Sequence, residues 1–323
     1  MPPPRPAGLR AAVPSTVPGR LAQTVAGRAR DLAGQAQHAV GAALRERVAG
    51  PDAAERGPAI WGTPGERWFT PDDPIWRVQE DASMYAGGVA ALLLQMLHPL
   101  AMAGVAGHSG YRSDPWGRLQ RTADYLAITT FGTAQAGEAT IARVRDIHSR
   151  VRGKDHRGRP YRADDPDLLR WVHVAECYSF LAAHRAYGRD RLSPEDADRY
   201  VVQSGSVSQR LGTHGLPQSV AELTAQLDAF RPDLEVTPAA IEAARFLLVE
   251  PPLAVPLRPG YWFIAAGGVA VLPPWARRML RLPDRAPLPR LAAGAGQLAT
   301  RTVRWGIAGL REDRTAGHRA VNS

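Results

Sequence analysis

The chain has 323 residues, of which 45% are hydrophobic, and this is enough for one large domain or two ordinary ones with a substantial core. Its single cysteine, Cys177, excludes an internal disulfide, the C-x-x-C-H attachment site of c-type haem and any zinc or iron–sulfur site built from several cysteines. The formal net charge is +9 at pH 7, and Lys154 is the only lysine among the 40 cationic residues.

Charge and composition divide the chain into three regions. The net charge is +4 over residues 1–57, −2 over residues 58–274 and +7 over residues 275–323. We therefore expect a basic arm rich in proline, alanine and arginine (1–57), a helical body (58–285) and a basic C-terminal helix and tail (286–323). Basic ends on a nearly neutral body suit an acidic partner such as anionic lipid or nucleic acid, and a pair of solvated tails is the simpler alternative.

The N-terminal regions are predicted from spacing and composition. Prolines and arginines interrupt the first residues, so no secretory signal segment is expected, and we predict a cytoplasmic protein. Residues 21–48 carry apolar side chains at roughly helical spacing and predict a helix that lies on a membrane or packs on the body. Residues 51–75, rich in proline and tryptophan, predict an extended segment that covers the core.

Helical periodicity with clear start and stop signals continues through the body. The almost wholly apolar segment 81–97 predicts a buried central helix rather than a membrane span, because Gln95, His98 and Pro99 interrupt it. No alternating strand pattern is evident, so the predicted class is all-α, a single large helical domain. Further helices are predicted at 115–131, 134–151, 165–187, 193–211, 219–231, 238–249 and 288–310.

One histidine occupies the apolar face of a predicted helix. Gly137, Ile141, Val144, His148 and Val151 follow one another at steps of four, three, four and three residues, so they share a stripe. His148 therefore points toward the core. From spacing alone, two interpretations stay open, which are a hydrogen-bonded core histidine and a metal ligand.

The preceding helix carries a polar face. Arg118, Arg121, Thr122, Tyr125 and Thr129 are spaced so that all five lie on one side. Either this is an arginine-rich surface stripe, or it is the wall of a pocket that binds carboxylates or reduced oxygen species.

Several familiar catalytic sites are excluded. His173-x-x-Glu176 suggests a di-iron site, but that class needs Glu-x-x-His on two helices, and no glutamate here has a histidine three residues later. The sequence also lacks H-E-x-x-H, a G-x-S-x-G nucleophile elbow, a P-loop and G-x-G-x-x-G after a strand.

The order of short motifs resembles the MpaB and rubber oxygenase (latex-clearing protein) family. The resemblance covers roughly Trp61 to Arg281, and no single motif is specific, although eight occur in the right order. They are Q-M-L-H-P (95–99), G-V-A-G-H-S (104–109), D-P-W-G-R-L-Q-R-T (114–122), F-G (131–132), R-D-I-H-S-R-V-R-G (145–153), Y-R-A-D-D-P-D-L-L-R-W-V-H (161–173), L-S-P-E-D-A-D-R-Y (192–200) and L-P-P-W-A-R-R (272–278).

This resemblance implies an all-helical fold around one buried haem b, with His148 as the proximal iron ligand. On the distal side it implies Arg118, Arg121 and Thr122 as the catalytic residues that polarise O₂, with Arg118 also available to the haem propionates. Arg121 stands where rubber oxygenases carry lysine, and a guanidinium cannot coordinate iron. The glutamate that those enzymes use as a base has no counterpart, because the corresponding stretch reads L-A-M-A-G-V.

The resulting hypothesis is a haem b-dependent oxygenase, an oxidoreductase that uses O₂ on a hydrophobic, unsaturated substrate of isoprenoid or lipid type. Such substrates dissolve in membranes, so we expect peripheral contact of the basic termini with an anionic membrane surface and no nucleic acid partner. The first alternative is a non-catalytic haem carrier or sensor. The second is a helical scaffold without haem whose basic ends bind nucleic acid.

Overall fold

The computed structural model describes residues 28, 32, 34–39, 41, 42, 50, 53–110 and 112–321. The described positions between 28 and 42 are helical, and the rest of the predicted arm helix (21–48) lies outside the described residues.

The described part of the chain is helical apart from one small hairpin, and the predicted all-α class is confirmed. Two strands, β1 (Arg152–Lys154) and β2 (Pro160–Arg162), pair in antiparallel fashion with Gly153 opposite Tyr161. The helices are α1 (Ala53–Trp61), α2 (Pro74–Glu80), α3 (Met84–Gln95), α4 (Pro99–His108), α5 (Pro115–Phe131), α6 (Ala134–Arg150), α7 (Pro166–Tyr187), α8 (Pro194–Leu211), α9 (Val220–Ala229), α10 (Pro238–Leu248), α11 (Arg258–Val271), α12 (Pro274–Met279) and α13 (Leu288–Val321).

Local start signals explain where the central helices begin. Asp114 accepts a hydrogen bond from the backbone N–H of Gly117, so its side chain caps α5. Asp165 and Ser193 cap α7 and α8 in the same way. A proline follows each of these three caps, where its missing N–H costs no helical hydrogen bond.

The apolar helix α3 lies at the centre of the fold, packed against α7 and α11. Helices α3 and α7 run antiparallel, because Phe180 packs on Gly87 whereas the Gln95 amide donates to the Val172 carbonyl at 3.4 Å. Leu93 and Leu94 of α3 are completely buried. The prediction that the apolar segment 81–97 forms a buried central helix is therefore confirmed for Met84–Gln95.

Three features depart from the sequence predictions. The segment 51–75 contains α1 and the start of α2, so the prediction of an extended cover was wrong for these residues. The β1–β2 hairpin was missed because each strand has only three residues, too few for an alternating pattern. Helices α4, α11 and α12 were missed because the prolines at or near their starts were taken only as breaks, although proline also occupies the first turn of helices.

Among the described residues, no single helix is long and apolar enough to cross a membrane. The pair α3 and α4 reaches that length and hydropathy only when the two helices are taken together, and they are bent by 107° relative to each other.

Candidate functional site

His148 lies near the C-terminal end of α6, on the side that faces the body. Ile141, two turns earlier on the same stripe, is buried, and His148 itself is half-buried. Burial lowers the pKa of its imidazole, and the nearby carboxylate of Asp164 offsets only part of this effect, so the ring is neutral at pH 7. Its Nδ1 atom is buried and has no hydrogen-bond partner. A neutral imidazole with an unpartnered nitrogen is chemically fit to bind a metal.

Helix α5, which carries the polar face, packs against α6. Arg118 is half-buried, whereas Arg121 and Thr122 are exposed. The Arg121 guanidinium lies 3.2 Å from the carboxylate of Asp114, and the Thr122 hydroxyl donates to the Arg118 carbonyl at 3.0 Å. The structure thus places the three residues on one face of α5. Among them, only Arg118 is partly buried.

Further along the same face, Tyr125 and Thr129 continue into the body. Thr129 is buried, and its hydroxyl donates to the Tyr125 carbonyl at 2.7 Å. Tyr125 is half-buried, and burial followed by the charge of Glu176 raises the pKa of its phenol. The Tyr125 phenol on α5 therefore lies within electrostatic range of the Glu176 carboxyl group on α7, a proximity that helical spacing alone did not predict.

Glu176 on α7 has the most unusual environment among the described carboxyl groups. Its side chain is half-buried, and burial raises its pKa to about 7. Within the part of the chain that the structure describes, no hydrogen bond or ion pair to this carboxyl group is found. A partly buried carboxyl group without a nearby cation favours the protonated form, which is the cause of the raised pKa.

Other histidines also have buried nitrogens without partners, namely Nδ1 of His98, Nε2 of His173 and Nδ1 of His184. All three side chains are buried to at least nine-tenths in the packed core, and burial lowers the pKa of His173 to about 4. His148 differs because its side chain is only half-buried, so its ring keeps surface that a bound group would contact. Among the described residues, no group of three or more His, Cys, Asp or Glu side chains is placed to hold a metal ion.

Comparison with models of known protein families shows to which family the chain belongs. The family described as "ER-bound oxygenase mpaB/B'/Rubber oxygenase, catalytic domain" matches residues 76–305, about seven-tenths of the chain. This chain belongs to that family. No curated protein and no solved structure matches it. The match begins in α2 and extends into α13, so the mpaB/rubber oxygenase domain includes the first half of the C-terminal helix.

Within this mpaB/rubber oxygenase domain, the residues present fit a single-histidine haem site. The neutral His148 has an unpartnered ring nitrogen, and Arg118 supplies a cation on the adjacent helix. Sequence reasoning did not single out the Glu176 carboxyl group, because it considered the His173-x-x-Glu176 pair only as a di-iron motif. A carboxylate on an otherwise buried helix face was the signal that could have identified it.

Proposed function

We propose that this protein is a haem b-dependent oxygenase that uses O₂ on a hydrophobic, unsaturated substrate of isoprenoid or lipid type. The observation that carries the proposal is His148, a neutral, half-buried imidazole with an unpartnered nitrogen in a domain of an oxygenase family. A bound haem b would supply the iron centre at which dioxygen is activated. The family match supports the oxygenase class, and the cofactor and the substrate are our proposals.

The chain's own residues have distinct proposed roles. His148 would bind the iron, and burial keeps its imidazole neutral and therefore able to ligate. Arg118 would bind the haem propionates, since a half-buried guanidinium forms strong, paired hydrogen bonds with carboxylates. Arg121 and Thr122 lie at the exposed part of the same face, where we propose that they complete the polar wall. Apolar side chains of the neighbouring helices would exclude water from the substrate.

The absorption spectrum of the protein as purified tests the proposal. We expect a Soret band, and we expect His148→Ala to abolish it or to alter it grossly. His156→Ala is a matched control, because this half-exposed histidine lies in the β1–β2 turn and contacts Glu235 at 3.4 Å. A spectrum unchanged by His148→Ala would contradict the ligand assignment, and a protein without any haem would contradict the proposed function.

A haem carrier or sensor is a second candidate, favoured by Arg121 in place of lysine and by the missing glutamate at the family position. Oxygen uptake separates the two candidates. With dithionite-reduced protein, O₂ and squalene or a polyunsaturated fatty acid, an oxygenase consumes O₂ in proportion to substrate. A carrier shows the Soret band without turnover.

We further propose that the protein acts at the cytoplasmic face of an anionic membrane. Helix α13 presents exposed apolar side chains at Leu288, Leu291, Leu298 and Trp305, with exposed arginines beside them. The Gln37 side chain donates to the Trp305 carbonyl at 2.8 Å, so part of the basic arm meets this helix. Helix α13 therefore combines exposed apolar and cationic groups, as lipid-binding helices do, and the described part of the arm contacts it.

A further inference from the structure

The end of α10 and the start of α11 present a row of large apolar side chains to solvent. Among the described residues, six such side chains lie within residues 241–263, and their exposed fractions range from 42% to 69%. We call this set the α10–α11 face, and its members are Ile241, Val249, Val255, Leu257, Trp262 and Phe263.

The two helices hold these side chains in one continuous patch. On α10 and directly after it, Ile241, Arg245 and Val249 follow one another at steps of four residues, so they share the exposed stripe of the helix. The chain then folds back, because the Tyr261 hydroxyl of α11 donates to the Leu247 carbonyl at 2.8 Å. The first turn of α11 therefore lies beside the last turn of α10.

The segment that connects the two helices is stiff and open to solvent. Four prolines restrict its backbone, and Val255–Leu257 forms a single 3-10 turn. The Arg258 Nε atom donates to the Leu253 carbonyl at 3.0 Å, which fixes the segment against the start of α11. A Cβ atom added to Gly260 would meet no heavy atom within 4 Å. A stiff apolar surface loses little conformational entropy when a partner covers it.

The apolar area of the α10–α11 face approaches what each partner of a dimer contributes. Six side chains that are about half exposed, at roughly 200 Å² each, amount to about 600 Å². The largest apolar patch of a typical monomer is about 300–600 Å², and each partner of a standard interface contributes about 800 Å². A polar rim supplies the remainder. Trp262 and Phe263 are residue types that are enriched at the centres of such interfaces.

Charge distinguishes this face from α13. Residues 238–263 contain two glutamates and two arginines, so their net charge is zero, whereas residues 275–323 carry +7. Arg245 lies 2.7 Å from the Glu250 carboxylate, so these two charges are paired within the chain. A face without net charge does not repel a second copy of itself, and it offers no excess of cations to anionic lipid or nucleic acid.

We propose that the α10–α11 face is the contact between two copies of this chain in a two-fold symmetric dimer. In such a dimer the same patch of both copies meets, so the apolar side chains of one copy cover those of the other. Trp262 and Phe263 pack at the centre, and the paired Arg245 and Glu250 lie at the rim. The dimer requires neither haem nor O₂, so it stands or falls independently of the proposed function.

Sedimentation velocity of the full chain at micromolar concentrations tests the proposal. Wild type should sediment as a dimer of two 34.9 kDa chains. Trp262→Asp should raise the dimer Kd by at least about thirtyfold, as the loss of a central aromatic contact does, whereas Trp262→Phe should keep the dimer. Val255→Asp should also raise it, and this side chain is the most exposed of the six, so the substitution leaves the fold intact. Thermal unfolding confirms that each variant is folded.

Two controls separate this contact from association through the basic ends. Leu291→Asp, on the proposed membrane face of α13, should leave the dimer unchanged. High salt should not weaken the dimer, since the face has no net charge, whereas salt would screen contacts made by the arginine-rich ends. A monomeric wild type, or dimers as tight as wild type in both aspartate variants, would overturn the proposal. A monomeric wild type whose sedimentation with anionic vesicles is lost in Val255→Asp would instead identify the face as a lipid contact, which also overturns it.

Discussion

At the scale of single residues, the pair of Asp81 and Arg304 joins the C-terminal helix to the centre of the fold. The guanidinium Nη2 of Arg304 lies 3.1 and 3.0 Å from the two carboxylate oxygens and 3.1 Å from the Tyr187 carbonyl. Burial acts to raise the pKa of Asp81, but hydrogen bonds from Ser83 and the charge of Arg304 outweigh it, so the pKa lies below 3.8. The charged pair therefore contributes stability above the ordinary pKa of Asp81 and loses it as pH falls through the lowered value.

Arg304→Met should destabilise the protein by roughly 3 kcal/mol at pH 7, because it leaves a buried carboxylate without its cation. Urea unfolding measures this loss, and the difference from wild type should shrink as the pH falls toward the lowered pKa of Asp81, because the carboxyl group is then protonated in both proteins. Arg290→Met, an exposed arginine of the same helix, should change stability by less than about 0.5 kcal/mol. Equal losses in the two variants would contradict a specific role for the pair.

At the scale of secondary-structure elements, α11 and α13 cross with their backbones in close approach. A Cβ atom added to Gly296 would lie 2.5 Å from the Gly267 Cα and 2.9 Å from the Tyr187 hydroxyl oxygen. Gly296→Val should therefore force the helices apart and cost on the order of 2–3 kcal/mol or more, seen as a lower Tm. Gly294→Ala is the matched control, since its Cβ would meet no atom within 4 Å, and helix propensity predicts a gain of about 0.5–1 kcal/mol. The prediction fails if Gly296→Val unfolds at the wild-type temperature.

The ends of several helices were predictable from the sequence, whereas their packing was not. The ends of α5, α6, α7, α8 and α10 lie within about two residues of their predicted positions, because caps such as Asp114 and Thr133 and the following residues are local signals. Which helix packs on which is set by contacts between distant residues, and neither the α11–α13 crossing nor the hairpin has a local signature. Likewise, the stripe on α6 located His148, but the burial that raises the pKa of Glu176 comes from the packing of other helices around it.

At the scale of the whole molecule, the apolar face of α13 is the strongest argument for a membrane partner. Leu288, Leu291, Leu298 and Trp305 fall within an arc of about 100° at 100° per residue, and all four are more than 40% exposed. The exposed Arg290 and Arg301 lie on the same helix and suit anionic headgroups. Deleting residues 286–323 would be a poor test, since it would also remove the contacts of Gly296 and Arg304 with the body.

Point substitutions test the membrane proposal without disturbing that packing. Leu291→Asp with Leu298→Asp should lower the fraction that sediments with vesicles of phosphatidylserine and phosphatidylcholine by more than about tenfold, because each leucine contributes roughly 1.5–3 kcal/mol when buried. Val202→Asp makes the same kind of change at an exposed position of α8, which packs on helices other than α13. This variant should leave binding unchanged. High salt should weaken the remaining binding of every variant, since the arginine contribution is screened. Wild-type sedimentation of the double variant would contradict docking by α13, and binding of nucleic acid but not of vesicles would favour the scaffold hypothesis.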